Sequence, residues 1–174
     1  MYPLSNILEQ RNCVCSAMRM IRSIDLASLF VAPIPMSTHI PTPMNSAPNR
    51  LILCGHSSGA NICALALLRA CGDGIMLCDA YVSLSGVFDI CKHYEFEKSR
   101  GVHIMSPMGA AAGRDVGRFW EVSPTLLLQQ LPHPASHISY FFPPCLLLHG
   151  TLDATVPMTS SMDMATGKQI NSFV

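Results

Sequence analysis

The chain has 174 residues, of which 49% are hydrophobic and only 13% are charged, so one domain with a large buried fraction is expected. Eleven basic and eleven acidic residues cancel to zero net charge. Because no basic stripe or acidic tail is present, nucleic acid and anionic membrane surfaces are poor candidates for partners. No segment reaches the roughly 18 apolar residues that a transmembrane span needs.

Residues 1–47 are predicted to form a segment distinct from the rest of the chain. Apolar positions scattered through 1–30 fit a helix, and five prolines within 31–50 predict a linker there. Regular alternation of strands and helices begins at about residue 48 and defines a predicted domain over 48–174.

Within this domain, short continuous apolar runs alternate with helical runs. The predicted strands are 51–54, 80–84 and 145–148, and the predicted helices are 60–71, 91–99, 113–121 and 158–167. Continuous apolar strands separated by helices are typical of a parallel sheet buried on both faces. The sequence therefore predicts an α/β fold with a mostly parallel sheet and helices on both faces.

Eight cysteines are distributed along the chain, and some of them lie inside these apolar runs. Free cysteine there behaves as a small buried hydrophobe, and no cysteine or histidine pairs have the spacing of a zinc site. We therefore expect free thiols, a reducing compartment (cytoplasmic or intracellular) and no metal site.

The most informative motif is Gly55-His56-Ser57-Ser58-Gly59, between the first predicted strand and its helix. A strand, a tight turn flanked by glycines and a helix form the context of a nucleophile elbow, in which a strained backbone exposes one side chain above the sheet. Ser57 is the predicted nucleophile. The alternative is a structural turn in an unrelated α/β domain.

A serine nucleophile needs a base, and the base needs an acid to orient it. Asp153 follows the strand 145–148 in the segment His149–Pro157, and the carboxyl ends of parallel strands are where sites assemble. The sequence favours Asp153 as that acid, and the alternative is a residue that caps a turn or helix.

Several segments resemble an α/β-hydrolase esterase, most closely the isoprenylcysteine α-carbonyl methylesterases and the related kynurenine formamidase-like and lipase/esterase-like enzymes. The segments are GHSSGAN (55–61), LSGVFDI (84–90), RGVHIMSPM (100–108), SPTLLL (123–128) and PPCLLLHGTLDATVP (143–157). The resemblance implies a partial α/β-hydrolase fold, with Ser57 as nucleophile, Asp153 as acid and the Ser58 backbone N–H as an oxyanion donor. It also implies a small-molecule ester or amide substrate, such as a prenylcysteine methyl ester, and no metal or organic cofactor. It leaves membrane association of the parent protein open.

Two parts of the family pattern are not found in this chain. The family base lies beyond the acid, whereas the last histidine here is His149, and the His-Gly-Gly oxyanion loop does not occur in 1–54. No catalytic histidine is predicted: His56 is expected to point away from Ser57, His93 has no recognisable context, and His149 is expected to stabilise a turn. The alternative reading is therefore a truncated, catalytically incomplete form that at most binds a ligand. The oligomeric state is not predicted.

Overall fold

The computed structural model describes residues 6–23, 50–130 and 141–167. The predicted linker, His39, His133 and His137 lie outside these residues. The described elements are, in chain order, α1 (Ile7–Ser23), β1 (Ile52–His56), α2 (Ser58–Gly72), β2 (Ala80–Leu84), α3 (Ile90–Ser99), α4 (Met108–Ala111), a 3-10 helix (Val116–Val122), α5 (Pro124–Gln129), β3 (Cys145–Leu148) and α6 (Thr159–Gly167).

The three described strands form one parallel sheet in the order β1-β2-β3. In register, Leu53 pairs with Tyr81 and Tyr81 with Cys145. Since all three strands run in the same direction, their carboxyl ends meet at one edge of the sheet. The predicted α/β fold with a parallel sheet is thus confirmed, and the turns after β1, β2 and β3 are neighbours.

Helix α2 lies at the centre of the described core. Ten of its residues are buried, and it packs against both β1 and α1. Cys15 and Met18 bring α1 into the same cluster as Leu67 and Tyr81. Each large side chain buried in this way contributes about 1.5–3 kcal/mol to stability.

The other face of the sheet carries apolar side chains that are more open to solvent. The exposed fractions are 60% for Ile52, 37% for Leu84, 54% for Leu146 and 46% for Leu148. These residues alternate along the strands with the buried ones, as the two-residue repeat of a strand requires.

A second apolar cluster includes Ile62 of α2, Ile90 of α3 and Phe119 of the 3-10 helix. Asn61 ties this region to α2, since its buried side-chain amide donates to the carbonyl oxygens of Val87 at 2.8 Å and Val122 at 3.0 Å. Neutral hydrogen bonds of this kind each contribute about 1 kcal/mol net. This amide fixes the segments that surround the cavity described below.

Most predicted elements are confirmed, and two differ from the prediction. β1 continues to His56 rather than ending at 54, because Gly55 and His56 still pair with Ser83 and Leu84. The predicted helix 113–121 is a shorter 3-10 helix, because Gly113 (φ 91°) and Arg114 (φ 64°) have a left-handed backbone that a right-handed helix cannot contain. The sequence also predicted neither α4 nor α5.

Candidate active site

The turn between β1 and α2, residues 55–59, has a strained backbone at its centre. Ser57 adopts φ 52° and ψ −121°, which is unfavourable for a residue with a Cβ. Its N–H donates to the carbonyl of Leu84 at 2.9 Å, and its carbonyl accepts from the N–H of Ala60 at 3.1 Å. The strain that the sequence predicted at Ser57 is therefore present and is fixed by backbone hydrogen bonds on both sides.

Gly55 explains why this β1–α2 turn needs glycine. A Cβ at Gly55 would lie 2.7 Å from the Cα and N of Ala60 and from the carbonyl oxygen of Gly59. These are backbone atoms, which cannot rotate away as a side chain could. Glycine is thus required because strand and helix approach each other too closely for any other residue.

Ser57 lines a cavity of about 210 Å³. Much of the wall is apolar and includes Ile7, Val87, Ile90, Met108 and Val156. The polar part of the wall consists of side chains from the β1–α2 turn, from α2, from α3 and from two loops: Ser57, Ser58, Asn61, His93, Glu97, Ser106 and Thr155. A concave, mainly apolar cavity with a few convergent polar groups is the usual form of a small-molecule site.

Asp153 holds the loop that follows β3. Its Oδ1 accepts from the N–H groups of Thr155 and Val156, both at 2.9 Å. These backbone donors, Val156 first, lower the pKa of the Asp153 carboxyl below its usual value, because they stabilise the charged form. Thr155 and Val156 line the cavity but Asp153 itself does not. Asp153 therefore lies outside the cavity lining, and its hydrogen bonds position two residues that belong to that lining.

His149 is close to Asp153 but is held by other groups. Its Nδ1 is 2.7 Å from the Ser161 hydroxyl, and its Nε2 is 2.8 Å from the Val156 carbonyl oxygen. The Asp153 carboxylate is farther away, with 3.7 Å between Oδ2 and Nε2. Both ring nitrogens therefore have partners, one on α6 and one in the loop after β3, which agrees with the expected role of His149 in stabilising a turn.

His93, Glu97 and Ser106 form a polar wall that the sequence reasoning missed. His93 and Glu97 are one helical turn apart on α3, with 3.5 Å between Nε2 and Oε1, and the Ser106 hydroxyl donates to Oε1 at 2.7 Å. His93 is only 8% exposed. The expectation that His93 has no context is therefore wrong. The signal was the spacing of four between a histidine and a glutamate, which places both on one helix face.

Burial sets the protonation of His93. Desolvation lowers its pKa, and the negative charges of Glu97 and, more weakly, Asp153 oppose that effect. The neutral imidazole is thus favoured near neutral pH. Two atoms of this pair, His93 Nδ1 and Glu97 Oε2, are buried without a hydrogen-bond partner.

The remaining described residues offer no metal centre and no other histidine in the cavity wall. No group of three or more His, Cys, Asp or Glu side chains in the described ranges could hold a metal ion. His56 is exposed on β1, and His103 lies edge-on to the ring of Tyr94, outside the cavity lining. None of the helices described is both long enough and apolar enough to span a bilayer.

Comparison with known proteins finds two curated relatives, both from Arabidopsis thaliana. A probable isoprenylcysteine alpha-carbonyl methylesterase is 30% identical over 68% of this chain and 26% of its own length. An isoprenylcysteine alpha-carbonyl methylesterase is 29% identical over 66% of this chain and 28% of its own length. The chain is related to esterases. It spans about a quarter of the length of each relative. No family model and no solved structure matches it.

Proposed function

We propose that the chain is the nucleophile-bearing part of a serine hydrolase that acts on carboxylic esters. The observation that carries the proposal is Ser57 itself: a strained serine at the first turn of a 15-residue helix, facing a cavity. This is the arrangement by which a nucleophile elbow presents its hydroxyl. The names of the two relatives favour the same reaction class.

In this scheme the Ser57 hydroxyl attacks the ester carbonyl carbon, and a base removes its proton as the Oγ–C bond forms. The carbonyl π electrons move onto oxygen, which becomes an oxyanion. The Ser58 N–H is the proposed oxyanion donor, since Ser58 begins α2 and also lines the cavity. A helix N-terminus favours negative charge, and a donor of this kind typically stabilises the transition state by about 3 kcal/mol.

Asp153 is the proposed acid that orients the base. It lies in the loop after β3, at the same sheet edge as Ser57, and its backbone donors keep it ionised. An ionised carboxylate there can stabilise the imidazolium that forms when a histidine accepts the serine proton. The carboxylate is thus suited to this role both by charge and by position.

The relatives also suggest a substrate. Both are named for isoprenylcysteine methyl ester chemistry, and the apolar wall of the cavity would accept an apolar substituent. We propose an ester with a large apolar group, such as a prenylcysteine methyl ester, as the substrate class.

A second candidate function is ligand binding without catalysis. It is favoured by His149, whose Nε2 is 3.7 Å from Asp153 Oδ2, because both of its ring nitrogens are hydrogen-bonded to other groups. A histidine held in this way cannot accept a proton from Ser57 without leaving those partners.

Labelling with a fluorophosphonate probe separates the two candidates, since the probe forms a covalent bond only with an activated serine. We expect the wild-type chain to be labelled and Ser57→Ala to remain unlabelled. Ser99→Ala is the control, because Ser99 is an exposed serine at the end of α3 and does not line the cavity. Absence of labelling in a folded wild-type chain would overturn the hydrolase proposal and favour binding alone.

A further inference from the structure

The polar wall of the Ser57 cavity contains a carboxylate without a matching cation. Glu97 has a side chain that is 13% exposed, and none of the ion pairs among the described residues joins it to a lysine or arginine. Its single ion-pair contact is His93, at 3.5 Å. Acidic side chains are rarely buried unless they are paired, so this site calls for an explanation.

His93 does not neutralise Glu97. Its pKa is lowered by burial, so the imidazole is neutral at about pH 7 and carries one N–H. When that N–H is on Nε2, it faces Glu97 Oε1, and Nδ1 then carries a lone pair. The neutral ring therefore adds a second hydrogen-bond acceptor to the wall rather than a positive charge.

The hydrogen bonding of the wall leaves only acceptors without partners. Ser106 donates to Glu97 Oε1 at 2.7 Å, which uses the hydroxyl proton of Ser106. In the His93–Glu97 pair, Glu97 Oε2 and His93 Nδ1 are buried without a partner, and Asn61 Oδ1, from another residue that lines the cavity, is a third such atom. Two acceptors and one negative charge are complementary to a group that carries several N–H donors and a positive charge.

We propose that His93 and Glu97 form a subsite that binds an ammonium group next to Ser57. The rest of the cavity wall is largely apolar, with Ile7, Ile90 and Met108 among its members. The ligand class is therefore an organic ammonium with an apolar chain. As a statement about substrate, the inference rests on the proposed hydrolase function: the preferred ester or amide carries an ammonium group and an apolar group within reach of the scissile carbonyl.

The test compares two reversible ligands of equal length, n-hexylammonium and n-hexanol, by calorimetric titration of the full chain at about pH 7. A charge-assisted hydrogen bond in place of a neutral one is expected to give the ammonium about tenfold or more tighter binding in the wild type. Equal affinities in the wild type would overturn the proposal, and this comparison needs no variant.

Glu97→Gln assigns the effect to the subsite, because it keeps the shape of the side chain and removes its charge. We expect the preference for the ammonium to fall to within about threefold, while the affinity for n-hexanol is retained. Glu95→Gln is the matched control on the same helix, since Glu95 is 64% exposed and pairs with Lys98, and it should keep the full preference. An unchanged preference in folded Glu97→Gln would overturn the subsite.

Fluorophosphonate labelling in parallel separates this inference from the proposed function. Labelling of Ser57 without any preference for the ammonium overturns only the subsite. A preference for the ammonium in a chain that is never labelled supports the subsite as a binding site and overturns the hydrolase proposal.

Discussion

The β1–α2 turn and the polar wall face the same cavity, but different forces hold them in place. The turn is held by backbone: the Ser57 N–H bonds to Leu84, and Gly55 touches the backbone of Ala60. The wall is held by side chains, with His93 and Ser106 both placed around Glu97. The turn is therefore rigid and tolerates few residue types, whereas the wall can change its chemistry without a change of fold.

Gly55→Ala should produce the largest effect if the turn depends on close backbone packing. The new methyl group would lie 2.7 Å from three backbone atoms, so strand and helix must move apart. We expect a loss of about 3 kcal/mol in the free energy of unfolding, measured by urea denaturation.

Gly59→Ala is the matched control for this prediction. Nothing lies within 4 Å of a Cβ built at Gly59, and the residue is within α2, so stability should stay equal or rise by up to about 1 kcal/mol. Similar losses in both variants would show that the turn is sensitive to any substitution rather than to the contact at Gly55.

The strain at Ser57 predicts a smaller effect, in which glycine stabilises the chain relative to alanine. A residue with a Cβ in this conformation costs roughly 2 kcal/mol, and glycine avoids that cost but loses about 1 kcal/mol to backbone entropy. Ser57→Gly should therefore be more stable than Ser57→Ala by about 1 kcal/mol in urea denaturation. Since both variants lack the hydroxyl, the comparison isolates the backbone, and equal stability would contradict the strain.

The same difference explains what could be predicted from the sequence. The turn could be found because close packing and a positive φ demand particular residues at fixed spacing, so Gly55 and Ser57 form a readable motif. Asp153 could be placed after β3 because strand and loop are adjacent in the chain. The polar wall could not be placed, because nothing in the local sequence shows that α3 folds over the cavity and brings Ser106 onto Glu97. The end of β1 at His56 was also not predicted, since it depends on pairing with β2, which is a tertiary contact.

The smallest prediction concerns the wall and the pH dependence of stability. The pKa of His93 is lowered from its usual 6.5 by burial, so the unfolded chain binds a proton there more readily than the folded chain does. The stabilisation that neutral His93 contributes is therefore complete above about pH 7. It decreases as the pH falls below 6.5 toward the lowered pKa of the folded chain.

His93→Gln should flatten the unfolding free energy across this range, as measured by urea denaturation at a series of pH values. Asp79→Asn is the control, because the pKa of Asp79 is lowered from 3.8, chiefly by the backbone N–H of Leu51, and Asp79 is not among the charges that act on His93. The stabilisation from that carboxylate is lost only in more acidic solution, so the variant should keep the wild-type slope between about pH 7 and pH 5. If His93→Gln also keeps that slope, His93 is not desolvated by the wall, and the neutral ring that leaves Glu97 unpaired in the cavity is ruled out.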